Sequence, residues 1–79
     1  MYFVYTLQSL IDPSRYYIGL TANIERRLTE HNEGSNIHTN KFRPWNLITY
    51  TAFFDKNKAE QFEIYLKSSS GRAFAKKRL

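Results

Sequence analysis

Two phenols, a guanidinium, an imidazole and a carboxylate stand along this chain where they could serve one reaction centre. Tyr5 and Tyr17 carry the phenols, Arg27 the guanidinium, His31 the imidazole and Glu63 the carboxylate. A guanidinium binds anions and stabilises negative charge as it develops. A phenol, with a pKa of about 10, accepts a proton near neutrality only when a neighbouring charge or base assists it. His31, one helical turn beyond Arg27, is a candidate for that base. A carboxylate held against protein surface needs a compensating cation, because uncompensated burial of charge is costly. That cation is either Arg27 or a divalent metal, and the residues by themselves leave both open.

Each residue also has a plain structural reading. Tyr5 and Tyr17 on neighbouring strands make a cross-strand aromatic pair worth about 0.2–1 kcal/mol. Arg27 on the rim of an apolar helix face covers that face with its stem. His31, in a last helical turn, has its protonated form favoured by the backbone dipole. The functional reading rests on convergence, because all five side chains are expected over the same side of a small sheet.

The elements that must position these groups are legible in outline. Tyr2 to Leu7 is β-branched and aromatic and reads as a strand. Turn chemistry at Asp12-Pro13-Ser14 leads into a second strand, Arg15 to Leu20, hairpin-paired with the first. Gly19, late in that strand, marks the close approach of another group. Thr21 or Asn23 caps a helix running to about Asn32. With about 100° per residue and Ile24 at zero, Leu28 falls near 40°, His31 near 340°, Arg27 near 300° and Arg26 near 200°. Arg27 therefore leans toward the sheet and Arg26 toward solvent.

A polar loop to Pro44 holds His38, Lys41 and Arg43, and Leu47 to Phe54 is the clearest strand. Asp55 caps a helix along Lys56 to Lys67, whose Ala59, Phe62 and Leu66 form an apolar stripe with Glu63 at its edge. Ser68-Ser69-Ser70-Gly71 is expected to end that helix, and Arg72 to Leu79 to form a short terminal one. The order β-β-α-β-α-α predicts a small α+β fold over residues 1–79, read as one domain.

Composition narrows the partner. The chain has 79 residues, with 12 lysines and arginines against 7 acids and a formal net charge of +5. Lys67, Arg72, Lys76, Lys77 and Arg78 concentrate the excess near the C-terminal end. A polyanion such as nucleic acid is the expected ligand. The absence of cysteine excludes a disulfide framework and a thiolate zinc site, so an intracellular, cytoplasmic setting is expected. No apolar run approaches the roughly 20 residues that cross a membrane.

In their order and spacing these residues resemble the GIY-YIG nuclease superfamily, in particular its small single-domain members. Phe3-Val4-Tyr5 stands in place of the first tripeptide and Tyr17-Ile18-Gly19 in place of the second. Arg27 with His31 four residues on, then Ala59, Glu63 and Lys67, and the run Lys67-Ser68-Ser69-Ser70-Gly71-Arg72 complete the match over nearly the whole chain. Phe3 and Val4 replace a glycine and an isoleucine, Leu20 stands where some relatives carry a lysine, and no asparagine follows Glu63.

The resemblance implies a three-stranded antiparallel sheet flanked by helices and a divalent-metal-dependent DNA endonuclease of low intrinsic sequence specificity, with a place in DNA repair or recombination. It implies that Glu63 binds Mg2+ or Mn2+ and that Arg27 lies by the scissile phosphate. Tyr5 and Tyr17 are then placed around the attacking water, one of them as general base. His31 belongs to a position that only part of the superfamily keeps as histidine. The expected substrate is DNA, branched or damaged, with a protein partner as a source of specificity. Phosphate contacts are expected from Arg15, Lys41, Arg43, Lys67, Arg72 and Lys76, while Trp45 is expected in the core and His38 in a surface loop. The alternative is a non-catalytic nucleic-acid-binding module.

Overall fold

A computed structural model describes residues 1–79. The elements follow as β1 (Tyr2–Ser9), β2 (Tyr16–Thr21), α1 (Ile24–Asn32), a 3-10 turn (Asn40–Phe42), β3 (Trp45–Phe53), α2 (Lys56–Lys67) and α3 (Ser69–Arg78). The three strands form one antiparallel sheet in the order β2-β1-β3. This is the α+β fold, with the element order β-β-α-β-α-α. No helix is long and apolar enough to cross a membrane.

Alternation along the central strand divides the side chains between two layers, as the period of two requires. Val4 packs with Ala59 and Leu66 of α2, joined by Ile18, Leu20, Phe53 and Phe62. Tyr5 and Leu7 point the other way and pack with Trp45, Tyr17, Leu28 of α1 and Phe42. Leu7 and Leu66 are fully enclosed, and burial of such a side chain contributes about 1.5–3 kcal/mol. The expectation that all five candidate groups lie over one side of the sheet is therefore corrected. Tyr5, Tyr17 and His31 belong to the α1 face, whereas Glu63 rides on the helix that covers the opposite face.

Local chemistry sets the helix ends. Asn23 caps α1 by accepting from the Arg26 amide at 3.0 Å, and Asp55 caps α2 by accepting from the Asn57 amide at 2.8 Å. The start of the terminal helix, at Ser69 instead of Arg72, differs from expectation. Ser68 donates its amide to the Tyr65 carbonyl at 3.0 Å, closing α2, while its Oγ accepts from the Gly71 amide at 3.1 Å, opening α3. The two helices meet at this single residue, and Gly71 lies inside α3 instead of terminating α2. A Cβ at Gly71 would press into the Tyr65 carbonyl oxygen and lie 2.7 Å from the Leu66 Cα. Glycine is needed here for close approach of two backbones, a reason other than its tendency to break helices.

The remaining strands run somewhat beyond their expected limits. β1 extends to Ser9, whose buried Oγ donates to the Phe42 carbonyl at 2.6 Å and so ties the hairpin to the 3-10 turn. β3 begins at Trp45, which is buried and donates its indole Nε1 to the Thr39 carbonyl at 2.8 Å. Trp45 is thus a core residue, and His38 is exposed in the loop before the turn.

Candidate active site

Strand register places Tyr5 of β1 directly across from Gly19 of β2. The Tyr5 ring lies over that glycine: an added Cβ would come within 2.6 Å of Cζ and 2.9 Å of Cε1, and closer still to the phenol oxygen. The missing side chain is what lets the ring lie flat on the strand. Tyr5 is 3 % exposed, and its Oη shares a hydrogen bond of 3.0 Å with His31 Nε2. Tyr17 completes the group, its ring centroid 4.8 Å from that of His31 and 6.2 Å from that of Tyr5.

His31 enters this cluster from the last turn of α1 and is 1 % exposed. Its Nδ1 lies 2.8 Å from Thr39 Oγ1, so both ring nitrogens have partners. Burial lowers its pKa and the nearby Arg27 lowers it further, with only Glu30 opposing. The imidazole is therefore held neutral, which corrects the expectation that the helix dipole favours its charged form. Exclusion of water outweighs a terminal dipole worth typically 0.3–1 kcal/mol. Thr39 did not emerge as a site residue, because nothing in its sequence context marks a threonine as buried against an imidazole.

The Tyr5 phenol is raised well above its usual range, first by burial and next by Tyr17. Arg27 acts against this, favouring phenolate, while the carboxylates of Glu63 and Glu30 add to it. Arg27 and Glu63 thus exert opposite fields on the same oxygen although they come from helices on opposite faces of the sheet.

Arg27 and Glu63 do not pair. Arg27 Nη1 donates to Glu30 Oε1 at 3.2 Å, and Lys67 Nζ donates to Glu63 Oε2 at 3.2 Å. Within the protein Glu63 is compensated not by Arg27 but by Lys67, one turn along the same helix. The Glu63 side chain is 22 % exposed and its Oε1 accepts no hydrogen bond from the protein. No cluster of three His, Cys, Asp or Glu side chains is present to form an all-protein metal cage. A single hard oxygen ligand with one free oxygen fits magnesium or manganese, whose remaining positions would be water and a substrate phosphate.

Arg27 also lies between two cavities. One, of about 270 Å³, is lined by Arg27, Glu30 and His31. The other, of about 310 Å³, brings Arg27 together with Arg26 and Lys56 against a wall that includes Tyr2 and Leu20, and no acid lines it. Arg26, assigned to solvent on the helical wheel, and Lys56 are thereby added to the cationic residues of interest. Neither was legible, since the cavity forms only where the start of α2 meets the start of α1.

The expected phosphate-contacting residues are spread over the molecule. Arg15 and Lys41 both lie over the Phe42 ring, at 4.7 and 5.7 Å from its centroid, and Arg15 also pairs with Asp12 at 3.6 Å. Arg43 Nη1 donates to the Asn32 carbonyl at 3.5 Å. Lys67 is engaged with Glu63, and Arg72 and Lys76 project from α3 as exposed cations. The structure brings Tyr5, Tyr17, Gly19 and His31 together and none of these cations into that group.

Comparison with known proteins bears on this constellation. A family model described as the GIY-YIG catalytic domain matches residues 1–78. A structure-specific endonuclease subunit SLX1 of Debaryomyces hansenii is 45% identical, over 84% of this chain and 21% of its own length. The same-named protein of Podospora anserina is 33% identical over 99% of this chain and 27% of its own length, and that of Scheffersomyces stipitis is 42% identical over 78% and 20%. The chain thus spans about a fifth to a quarter of the length of these relatives.

Proposed function

This chain belongs to the GIY-YIG family, and from that premise we propose that it is a DNA endonuclease hydrolysing phosphodiester bonds with Tyr5, Tyr17, Arg27, His31 and Glu63 as its working groups. The observation that carries the reading is the position of one phenol. Tyr5 is hydrogen-bonded to a neutral imidazole while Arg27 and Glu63 act on its oxygen with opposite sign.

In this mechanism Tyr5 Oη accepts a proton from the attacking water as its own proton passes to His31 Nε2, which leaves an imidazolium. The hydroxide attacks phosphorus, the opposite ester oxygen departs, and the phosphoryl oxygens gain negative charge that the Arg27 guanidinium stabilises. Tyr17 walls the water against Tyr5. A divalent ion on Glu63 would supply a Lewis acid for the phosphate and cancel the carboxylate field that holds Tyr5 in its protonated form. The burial that raises the Tyr5 pKa and lowers that of His31 keeps the resting proton on the phenol, so the base is armed only when substrate brings charge to the site.

The cationic cavity of Arg26, Arg27 and Lys56 would carry the strand onward from the scissile phosphate. Phosphate contacts carry no base sequence, so low sequence specificity with recognition of DNA shape is the reading we favour. The relatives, each named as a structure-specific endonuclease subunit, support a substrate recognised by its shape and a protein partner that adds specificity; we take that substrate to be branched DNA and its setting to be repair or recombination.

The test uses the purified chain with supercoiled plasmid and with branched duplexes, in magnesium or manganese. We expect nicking that falls by about 10²–10³ in Arg27→Ala, the usual cost of losing a group that stabilises transition-state charge, and comparably in Glu63→Ala. Cleavage undiminished by Glu63→Ala refutes the mechanism. Salt-sensitive binding without cleavage of any substrate favours a binding module instead.

A further inference from the structure

We propose that Thr39 is a positioning residue: its hydroxyl holds His31 in the Nδ1–H tautomer and so keeps Nε2 free to receive the Tyr5 proton. Its catalytic consequence rests on the nuclease reading above; the tautomer itself does not.

Few hydrogens are shared among these three side chains in a closed space. In the resting chain Tyr5, His31 and Thr39 are 3 %, 1 % and 1 % exposed, so solvent does not readily substitute for a missing partner before the attacking water arrives with substrate. With the proton on Nδ1, the imidazole donates to Thr39 Oγ1 across 2.8 Å and accepts from Tyr5 Oη across 3.0 Å. The Thr39 hydroxyl then turns its own hydrogen toward the Asn36 carbonyl, 3.4 Å away. Every donor in the chain has an acceptor. With the proton on Nε2, the imidazole would donate to Tyr5, and the phenol hydrogen would have no protein acceptor. Leaving a buried donor unpaired costs about 1–3 kcal/mol, enough to decide between two tautomers.

The hydroxyl is also held in place from the backbone side. The Thr39 amide donates to the Asn36 carbonyl at 3.2 Å, and its carbonyl accepts from Trp45 Nε1 at 2.8 Å and from the Phe42 amide at 3.2 Å. Thr39 is thereby fixed to the core tryptophan and to the 3-10 turn, with its Oγ1 aimed at the ring. Nδ1–H donates to Thr39 both in the neutral imidazole and in the imidazolium formed when Tyr5 gives up its proton. No group need rotate during the transfer.

Nitrogen-15 NMR of the histidine side chains, on the intact chain at a pH where both rings are neutral, reads the tautomer without reference to activity. His38 is exposed and serves as an internal comparison for an unconstrained ring. We expect His31 as a single Nδ1–H tautomer in the parent and in Thr39→Ser, and a mixture of both tautomers in Thr39→Val, where either form leaves one buried donor unpaired. An Nε2–H signal for His31 in the parent overturns the proposal, and that reading needs no variant to fold. So does an undiluted Nδ1–H signal that persists in Thr39→Val. For cleavage we expect a fall of about ten- to a hundredfold in Thr39→Val, the usual range for losing an outer partner of a functional imidazole, with Thr39→Ser restoring most of it. Unchanged cleavage in Thr39→Val with a mixed tautomer overturns the positioning role. A parent chain that cuts nothing overturns the nuclease reading and leaves the NMR test intact.

Discussion

Replacing Gly19 by alanine adds one methyl group and tests whether the tyrosine really lies across the strand. The new Cβ would stand 2.6 Å from Tyr5 Cζ, about 1 Å inside the usual 3.5–4.0 Å carbon contact. The ring is buried between β2 and His31 and cannot swing into solvent, so it must tilt and move its hydroxyl away from Nε2. Overpacking of a core position costs about 1–3 kcal/mol, and the loss of a buried hydrogen bond that leaves both partners unpaired adds about 1–3 kcal/mol. The two overlap, because the tilt that relieves the clash is the tilt that breaks the bond, so we expect a loss of about 2–4 kcal/mol. For a domain of this size that corresponds to a midpoint lower by very roughly 10–25 °C. Urea and thermal unfolding of Gly19→Ala measure it, and Tyr5→Ala is the necessary partner. In the Tyr5→Ala background the ring is gone and Gly19→Ala should cost well under 1 kcal/mol, so a double-mutant cycle isolates the contact. A full-strength penalty for Gly19→Ala with Tyr5 already removed, or none at all with Tyr5 present, would refute the account of Gly19 as the floor beneath the phenol.

The other expectations concern charge. His31 has a folded-state pKa below the ordinary 6.5, so the unfolded chain binds the extra proton first as pH falls. Stability should be complete above about pH 6.5 and decline as the pH drops through the range between the unfolded and folded values. Thermal melts from about pH 8 to about pH 5 should show that decline, and His31→Gln should flatten it. The lowered pKa of Asp12 acts only below its ordinary 3.8 and does not enter this range. Arg26→Ala and Lys56→Ala should each weaken DNA binding across all sequences and each reduce the slope of log affinity against log salt by about 1, as fluorescence anisotropy at several salt concentrations would show. A slope unchanged in both removes the second cavity from the strand path.

What could be read before the coordinates was the part that local chemistry decides. α2 was bounded correctly at both ends, because Asp55 is a strong cap and the stripe of Ala59, Phe62 and Leu66 has a clear period. Gly19 was recognised as a place of close approach, yet the approaching ring could be named only from the strand register. The misreadings share a cause. His31 was given the charge favoured by its helix, while its state is dictated by packing against a strand and a distant loop. Gly71 was taken as a helix breaker, while its role is to let one helix start against the backbone of another. The ion pair of Glu63 with Arg27 does not form, since Arg27 pairs with Glu30 and Glu63 with Lys67, four residues along. For His31 the deciding neighbours, Tyr5 and Thr39, lie on other elements, and for Gly71 the neighbour, Tyr65, is close in the chain but belongs to another helix.

The shared serine between α2 and α3 has a consequence for how this surface can vary. With no intervening loop there is no slack, so inserting one residue in the first turn of α3, ahead of Arg72, would rotate the rest of that helix by about 100° about its axis and advance it by about 1.5 Å. The cations at Arg72 and Lys76 would then face another direction altogether. Exchange of individual side chains can retune the charge of that spoke, whereas a change of chain length at its hub would misaim every one of them together.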